Sequence, residues 1–167
     1  MAGTPEDKPR PPAAGTLAVG SPAPSGRVTC DDGQMYDLSK SWETGTGVLV
    51  FYRGHWCPHC RKQLGELTFA EGKLASRKAT LVAISADGVE DARAVKAKVG
   101  AGYLVCSDPA LAVIGAWGLR DPGAPIAKPT TVVVGNDGTI RYLHVGDTPA
   151  DRPASEQILS AVESATQ

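Results

Sequence analysis

FYRGHWCPHCRKQLGEL, residues 51–67, carries two cysteines three positions apart, Cys57 and Cys60, where one periodic pattern gives way to another. Leading into it, Val48 to Tyr52 is a continuous β-branched and aromatic run, the pattern of a strand covered on both faces. Beyond it, Leu64, Leu67, Phe69 and Leu74 give an approximate apolar face and predict a helix from Pro58 to about Lys78, weakened by Gly65 and Gly72. Cys57 therefore falls where a strand hands over to a helix. Unpaired N–H groups and the helix dipole favour a thiolate at that point. Pro58 suits the first helical position, where the amide proton it lacks would have no partner. Cys60 lies one turn further along, so the pair can switch between dithiol and disulfide with little backbone movement. His59, Arg61 and Lys62 are expected to add positive charge and to depress the Cys57 thiol further, since cysteines of such pairs titrate at about 3.5–7.5. On this reading Cys57 is the nucleophile and Cys60 the more buried, resolving thiol.

The same spacing can also be half of a zinc site completed by His55, His59 or a distant cysteine, although no second CxxC follows. Cys30 and Cys106 stand apart in predicted strands, where a free cysteine behaves as a small hydrophobe filling the core. A resolving or glutathionylated role for Cys106 is the other option. His144, in the last predicted strand, reads as a histidine satisfied by a neighbour.

Outward from the pair, the chain alternates between strand and helix patterns. Arg27–Cys30 and Met35–Leu38 flank Asp-Asp-Gly as a short hairpin. Thr80–Ala86 is a second buried strand, and Asp87-Gly88-Val89-Glu90 resembles a capping box opening a helix to about Val99. Tyr103–Cys106 is a third strand, after which Ser107-Asp108-Pro109 caps a short helix to about Trp117. Thr130–Gly135 and Thr139–Val145 flank Asn136-Asp137-Gly138, a hairpin signal, and a last helix runs from about Pro153 to Ala165. The order predicts an α/β domain: a central mixed β-sheet of about five strands, helices on both faces, and an N-terminal β-hairpin extension.

The chain of 167 residues is one domain's worth, and its 17 basic against 18 acidic residues leave a net charge of −1. That balance gives no electrostatic reason to expect nucleic acid or an anionic membrane surface as partner. Six of the 13 prolines lie in the first 24 positions, so residues 1–18 are expected to be a disordered Pro-rich tail ahead of a domain at 19–167. The N-terminus lacks the apolar stretch of a secretory leader, and no window approaches the ~18 apolar residues of a membrane helix. A soluble cytoplasmic protein is the expectation.

FYRGHWCPHC resembles the active-site segment of the thioredoxin superfamily, and more closely that of its AhpC/TSA (redoxin, or peroxiredoxin-like) branch. VGSPAPSGRVTCDDGQMYDLS upstream, and SDPALAVIGAWGLRDPG with KPTTVVVGNDGTIRYLHVG downstream, are similar to that branch, so the resemblance spans about residues 17–165. It implies a thioredoxin-like fold. It also implies a thiol-dependent oxidoreductase with an antioxidant or redox-homeostasis role and no bound cofactor or metal. The substrate would be a protein disulfide, a small thiol or a peroxide, with a thioredoxin or glutathione system as recycling partner. Pro129 matches the family's cis-proline, whose preceding residue, here Lys128, presents backbone to substrate. Trp56 matches the thioredoxin pattern, and the Pro58-His59 dipeptide matches strongly oxidising thiol oxidases, predicting a potential above the roughly −270 mV of thioredoxin. Other positions depart from the family patterns. Gly54 stands where peroxiredoxins carry the hydroxyl that orients peroxide, and Phe51 where thioredoxins carry a buried carboxylate. Only Arg53 or Lys128 could replace the peroxiredoxin arginine.

Overall fold

The apolar runs assemble into one seven-stranded mixed sheet in the computed structural model, which describes residues 17–166. All but the last two residues of the expected Pro-rich tail lie outside the described residues. The strands are β1 (Arg27–Cys30), β2 (Met35–Asp37), β3 (Thr46–Phe51), β4 (Ala79–Ser85), β5 (Leu104–Ser107), β6 (Thr130–Val134) and β7 (Ile140–Val145), in the order β2-β1-β5-β4-β3-β6-β7. The three strands β3, β4 and β5 run parallel, while β1, β2, β6 and β7 extend the sheet by antiparallel pairing. Parallel neighbours need crossovers, and these are the helices α2 (Pro58–Ser76) and α3 (Val89–Val99). A short helix, α1 (Lys40–Glu43), precedes β3 and has no counterpart in the sequence reading; four residues are too few to show a period. Two more helices, α4 (Ala112–Ala116) and α5 (Ser155–Ala165), complete the chain.

Alternation along the central strands sorts the core into two halves. Val48, Val50 and Tyr52, with Leu81, Ala83, Val105 and Val133, pack on one face against α2, α3 and α5. Leu49, Phe51, Val82, Ile84, Val132 and Val134 pack on the other with Trp42, Ile114 and Trp117. Every residue of β3 and β6 is buried, which explains their unbroken apolar runs.

Two local expectations are corrected. No side chain caps α3: its N-cap is Gly88, and the Asp87 carboxylate turns instead toward the loop ahead of Cys57. Asp108, expected to cap a helix directly after it, accepts from the Ile114 amide at 2.7 Å, inside a helix that begins only at Ala112.

Cys30 and Cys106 are not free thiols but a disulfide. They sit directly opposite each other where β1 pairs with β5, and both are fully buried. The bond ties the N-terminal hairpin to the central sheet, where its ladder has only the Thr29–Ser107 and Cys30–Cys106 pairs. It lies on the sheet face opposite Cys57 and Cys60, so the two cysteine pairs are separated by the sheet itself.

Candidate active site

Cys57 is the N-cap residue of α2, with extended backbone, and Pro58 is the first residue of the helix. The turn before it is closed by the Cys57 amide donating to Gly54 O at 3.2 Å. Gly54 is dictated by its neighbour: a Cβ there would run into the Trp56 indole. A hydroxyl-bearing side chain at this position is therefore incompatible with Trp56 as placed. Trp56 is half exposed, and the Arg53 guanidinium lies over its ring at 5.1 Å from the centroid.

Cys57 and Cys60 are both reduced, only 1% and 0% exposed respectively. The cations that reach the two sulfurs are not the helix residues expected from the sequence. His59 and Lys62 point to solvent, and Arg61 donates to His55 O at 2.9 Å, clasping the loop. Instead Arg53 Nη1 lies 3.9 Å from Cys57 Sγ, and Arg152 Nη2 lies 3.0 Å from Cys60 Sγ. The Arg53 amide also donates to Cys60 Sγ, at 3.3 Å.

Burial pushes the Cys57 thiol up, but hydrogen bonds from the Cys60 thiol and amide and from the Arg53 guanidinium, with the Arg152 charge, outweigh it. Cys57 is left below the usual cysteine range. Cys60 goes the other way: burial and the hydrogen bond it gives to Cys57 raise its thiol, against the pull of Arg152 and two backbone amides. The assignment of Cys57 as the readier thiolate follows from these opposed environments.

Arg152 had no signal in the sequence. It lies in the Asp-Arg-Pro segment before α5, 92 residues from Cys60, in a loop without periodicity. Asp87, which the sequence pattern places as a helix cap, accepts instead from the His55 amide at 2.8 Å, the His55 ring at 3.0 Å and Ser85 Oγ at 2.9 Å. His55, Asp87 and Asp91 put one donor atom each within 4.8 Å of one another, away from the two sulfurs' ligand set. Behind Cys60, the fully buried Tyr52 hydroxyl has no hydrogen-bond partner among the described residues, and burial holds it strongly protonated.

Lys128 and Pro129 line a groove of about 300 Å³ with Arg53, Asp121 and the 145–149 loop. The Lys128–Pro129 bond is trans, not the cis bond that the resemblance implied. The Lys128 backbone is already engaged: its amide donates to Leu119 O at 2.7 Å and its carbonyl accepts from Thr130 Oγ1 at 3.0 Å. His144 is satisfied by Asp151 at 2.8 Å, as its strand position suggested.

Comparison with known proteins places this geometry. Solved structures with the same architecture include the peroxidoxin BcpB from Mycobacterium tuberculosis (TM-score 0.82, 20% identity, covering 91% of this chain and 100% of that one). Another is a cysteine-to-serine mutant of PrxQ from Xylella fastidiosa (TM-score 0.80, 16% identity, 91% and 99% covered). At such identities these likenesses speak for the fold. Among curated proteins, the thiol-disulfide oxidoreductase ResA from Halalkalibacterium halodurans is 26% identical over 103 residues, which is 61% of this chain. The matched stretch is 55% of ResA, so the chain spans about half the length of that relative. The sequence profile of the AhpC/TSA family matches residues 19–143, which include β1 to β6 and the Cys57–Cys60 pair. With a thioredoxin-like sheet, a CxxC at the N-terminus of α2 and a family match over three quarters of its length, this chain belongs to the AhpC/TSA family.

Proposed function

We propose that the chain is a thiol/disulfide oxidoreductase in which Cys57 attacks a substrate disulfide and Cys60 resolves the product. The observation that carries this reading is the unequal pair: a Cys57 thiol held low by hydrogen bonds and charge, one helical turn from a second, fully buried thiol. In the first step the Cys57 thiolate forms a bond to one substrate sulfur, and the other substrate sulfur leaves with the electron pair. In the second, Cys60 displaces the bound sulfur and the Cys57–Cys60 disulfide forms. A glutathione or thioredoxin system in the cytoplasm returns the pair to the dithiol. The disulfide at Cys30–Cys106, being fully buried, lies out of reach of such reductants. The activity named for ResA supports this reading, as does Gly54, which leaves no hydroxyl to orient a peroxide.

A second reading, a thiol peroxidase, is favoured by the Arg53 guanidinium 3.9 Å from Cys57 Sγ. In it the Cys57 thiolate attacks one oxygen of a peroxide, the O–O bond breaks and water or an alcohol leaves, and the resulting Cys57 sulfenic acid condenses with the Cys60 thiol to the disulfide, releasing water. Stopped-flow oxidation of the reduced protein by a small disulfide and by hydrogen peroxide separates the two. Fast disulfide exchange with slow peroxide consumption, both abolished in Cys57→Ser, is expected. Peroxide consumption faster than exchange overturns the proposal in favour of the peroxidase, and zinc binding that blocks both reactions favours a Cys/His metal site. Equilibration with glutathione gives the potential, expected above about −270 mV.

A further inference from the structure

We infer that Arg152 is a catalytic residue of the resolving step, the counter-ion for Cys60 when that sulfur attacks or leaves as a thiolate. The inference rests on the oxidoreductase reading and adds a residue and a step to it.

The geometry singles out Cys60. Its sulfur receives two donors, Arg152 Nη2 at 3.0 Å and the Arg53 amide at 3.3 Å, whereas the guanidinium near Cys57 stands off at 3.9 Å. The Arg152 side chain is fixed for this task. Its Nη1 donates to Gln63 Oε1 at 2.7 Å and its Nε to Pro149 O at 2.7 Å. Gln63 is itself buried and directed by Thr131 Oγ1 at 3.4 Å. Among the described residues no carboxylate pairs with Arg152. The adjacent Asp151 is taken by His144 and the Asp147 amide. Among the described residues, Cys60 is the one hydrogen-bond partner of this guanidinium that can carry a full negative charge.

The role depends on the state of Cys57. In the free dithiol the Cys60 thiol donates to Cys57 Sγ, and that hydrogen bond favours the protonated form of Cys60. Once Cys57 is bonded to a substrate sulfur it carries no charge, and this hold on the Cys60 proton disappears. Burial alone then opposes the Cys60 thiolate, and Arg152 is the full charge in direct contact to offset it. Among the described residues the other ionisable groups about the pair are Cys57 at the start of α2, Tyr52 just after β3, and the Arg53 guanidinium 3.9 Å from Cys57 Sγ; the charges of Asp87 and Asp91 act on Tyr52. In the resolving step Cys60 gives its proton to solvent and its sulfur bonds to Cys57 Sγ. The bond from Cys57 to the substrate sulfur breaks, and that sulfur departs with the electron pair and is protonated. In the reverse direction Cys60 is the leaving thiolate, held by the same guanidinium.

An opposite charge this close shifts a thiol by roughly 1–3 units; without it less Cys60 thiolate forms, and the higher basicity of that thiolate recovers about half of the loss on a logarithmic scale, so removing Arg152 slows resolution by roughly 3- to 30-fold at neutral pH. The test is stopped-flow reaction of the reduced full chain with dipyridyl disulfide, an uncharged probe, so loss of a cation does not act through attraction of the reagent. It releases one thiopyridone when Cys57 attacks and a second when Cys60 resolves. For Arg152→Met the second phase is expected to slow by more than the first and its pH–rate midpoint to rise, because Arg152 touches Cys60 Sγ at 3.0 Å and acts on Cys57 through its charge alone. Arg152→Lys keeps the charge and is expected to restore much of the second phase. A second phase unchanged in Arg152→Met, or both phases slowed alike, overturns the role of Arg152. Absence of any first phase in the wild-type chain overturns the oxidoreductase reading instead.

Discussion

Reducing the Cys30–Cys106 disulfide is expected to remove a large part of the stability of this domain. The bond closes a loop between residues 76 apart, and the chain-entropy relation for that length gives about 4.5 kcal/mol. Native disulfides typically return about 2–4 kcal/mol, so the expected window is about 2–4.5 kcal/mol, or roughly 4–18 °C in melting temperature for a domain of this size. A clean measurement uses the Cys57→Ala/Cys60→Ala chain, in which Cys30–Cys106 is the one disulfide left to form. Samples unfolded in urea with and without reductant are compared by tryptophan fluorescence and far-UV circular dichroism. Fluorescence reports Trp42 and Trp117, both packed in the core half that contains the disulfide. Because the β1–β5 ladder is short, two register pairs continued by the hydrogen bonds between Asp31 and Val105, the reduced protein is also expected to lose hydrogen-exchange protection first in β1 and β2. Midpoints that differ by less than about 1 kcal/mol in equivalent stability would refute the reasoning. So would two free thiols titrating in this variant in urea without reductant.

Three further outcomes follow from other parts of the structure. Asp31 accepts from Lys96 at 2.8 Å and from the Val105 amide at 2.9 Å; burial opposes its ionisation, but these partners hold the carboxyl below its usual range. A depressed carboxylate contributes stability above its unfolded value and loses it as pH falls, so acid unfolding below about pH 4 should flatten in Asp31→Asn. That variant should also be about 1.5–3 kcal/mol less stable at neutral pH by urea titration. Gly72 in α2 is exposed, and a Cβ there meets nothing within 4 Å, so Gly72→Ala should stabilise by about 0.5–1 kcal/mol in thermal melts. Arg53→Met removes the guanidinium beside Cys57, and the midpoint of the pH profile for Cys57 alkylation by iodoacetamide should rise toward the ordinary thiol value of about 8.5. An unchanged profile would leave the Cys60 hydrogen bonds and the Arg152 charge as the sources of the lowered Cys57 thiol.

Much of this molecule was legible in local sequence because the signals are themselves local. The run before Cys57 is apolar because β3 is buried on both faces, and the strand-to-helix handover puts Cys57 at a helix start whatever surrounds it. Pro58 and the Asn136-Asp137-Gly138 turn act through backbone preferences that need no distant partner. Where local pattern and structure differ, a long-range partner overrides a local preference. Asp87 holds His55 rather than capping α3, and His59, Arg61 and Lys62, though near in sequence, lie exposed or, for Arg61, bonded to His55 O, away from the sulfurs.

By itself, then, the sequence determined the alternation of strands and helices, the mixed sheet and the position of the cysteine pair on α2. Each of these is set by periodicity and turn chemistry within a few residues. Tertiary structure alone decided what surrounds the pair. Arg152 reaches Cys60 from 92 residues away because α5 returns across the same sheet face as α2, and no spacing rule links a loop arginine to a helix cysteine. Cys30 meets Cys106 because β1 joins the sheet at the edge of β5 in a register that opposes the two residues. Strand order and register are properties of the whole core, where burial on two faces selects one arrangement from many that the same local patterns allow.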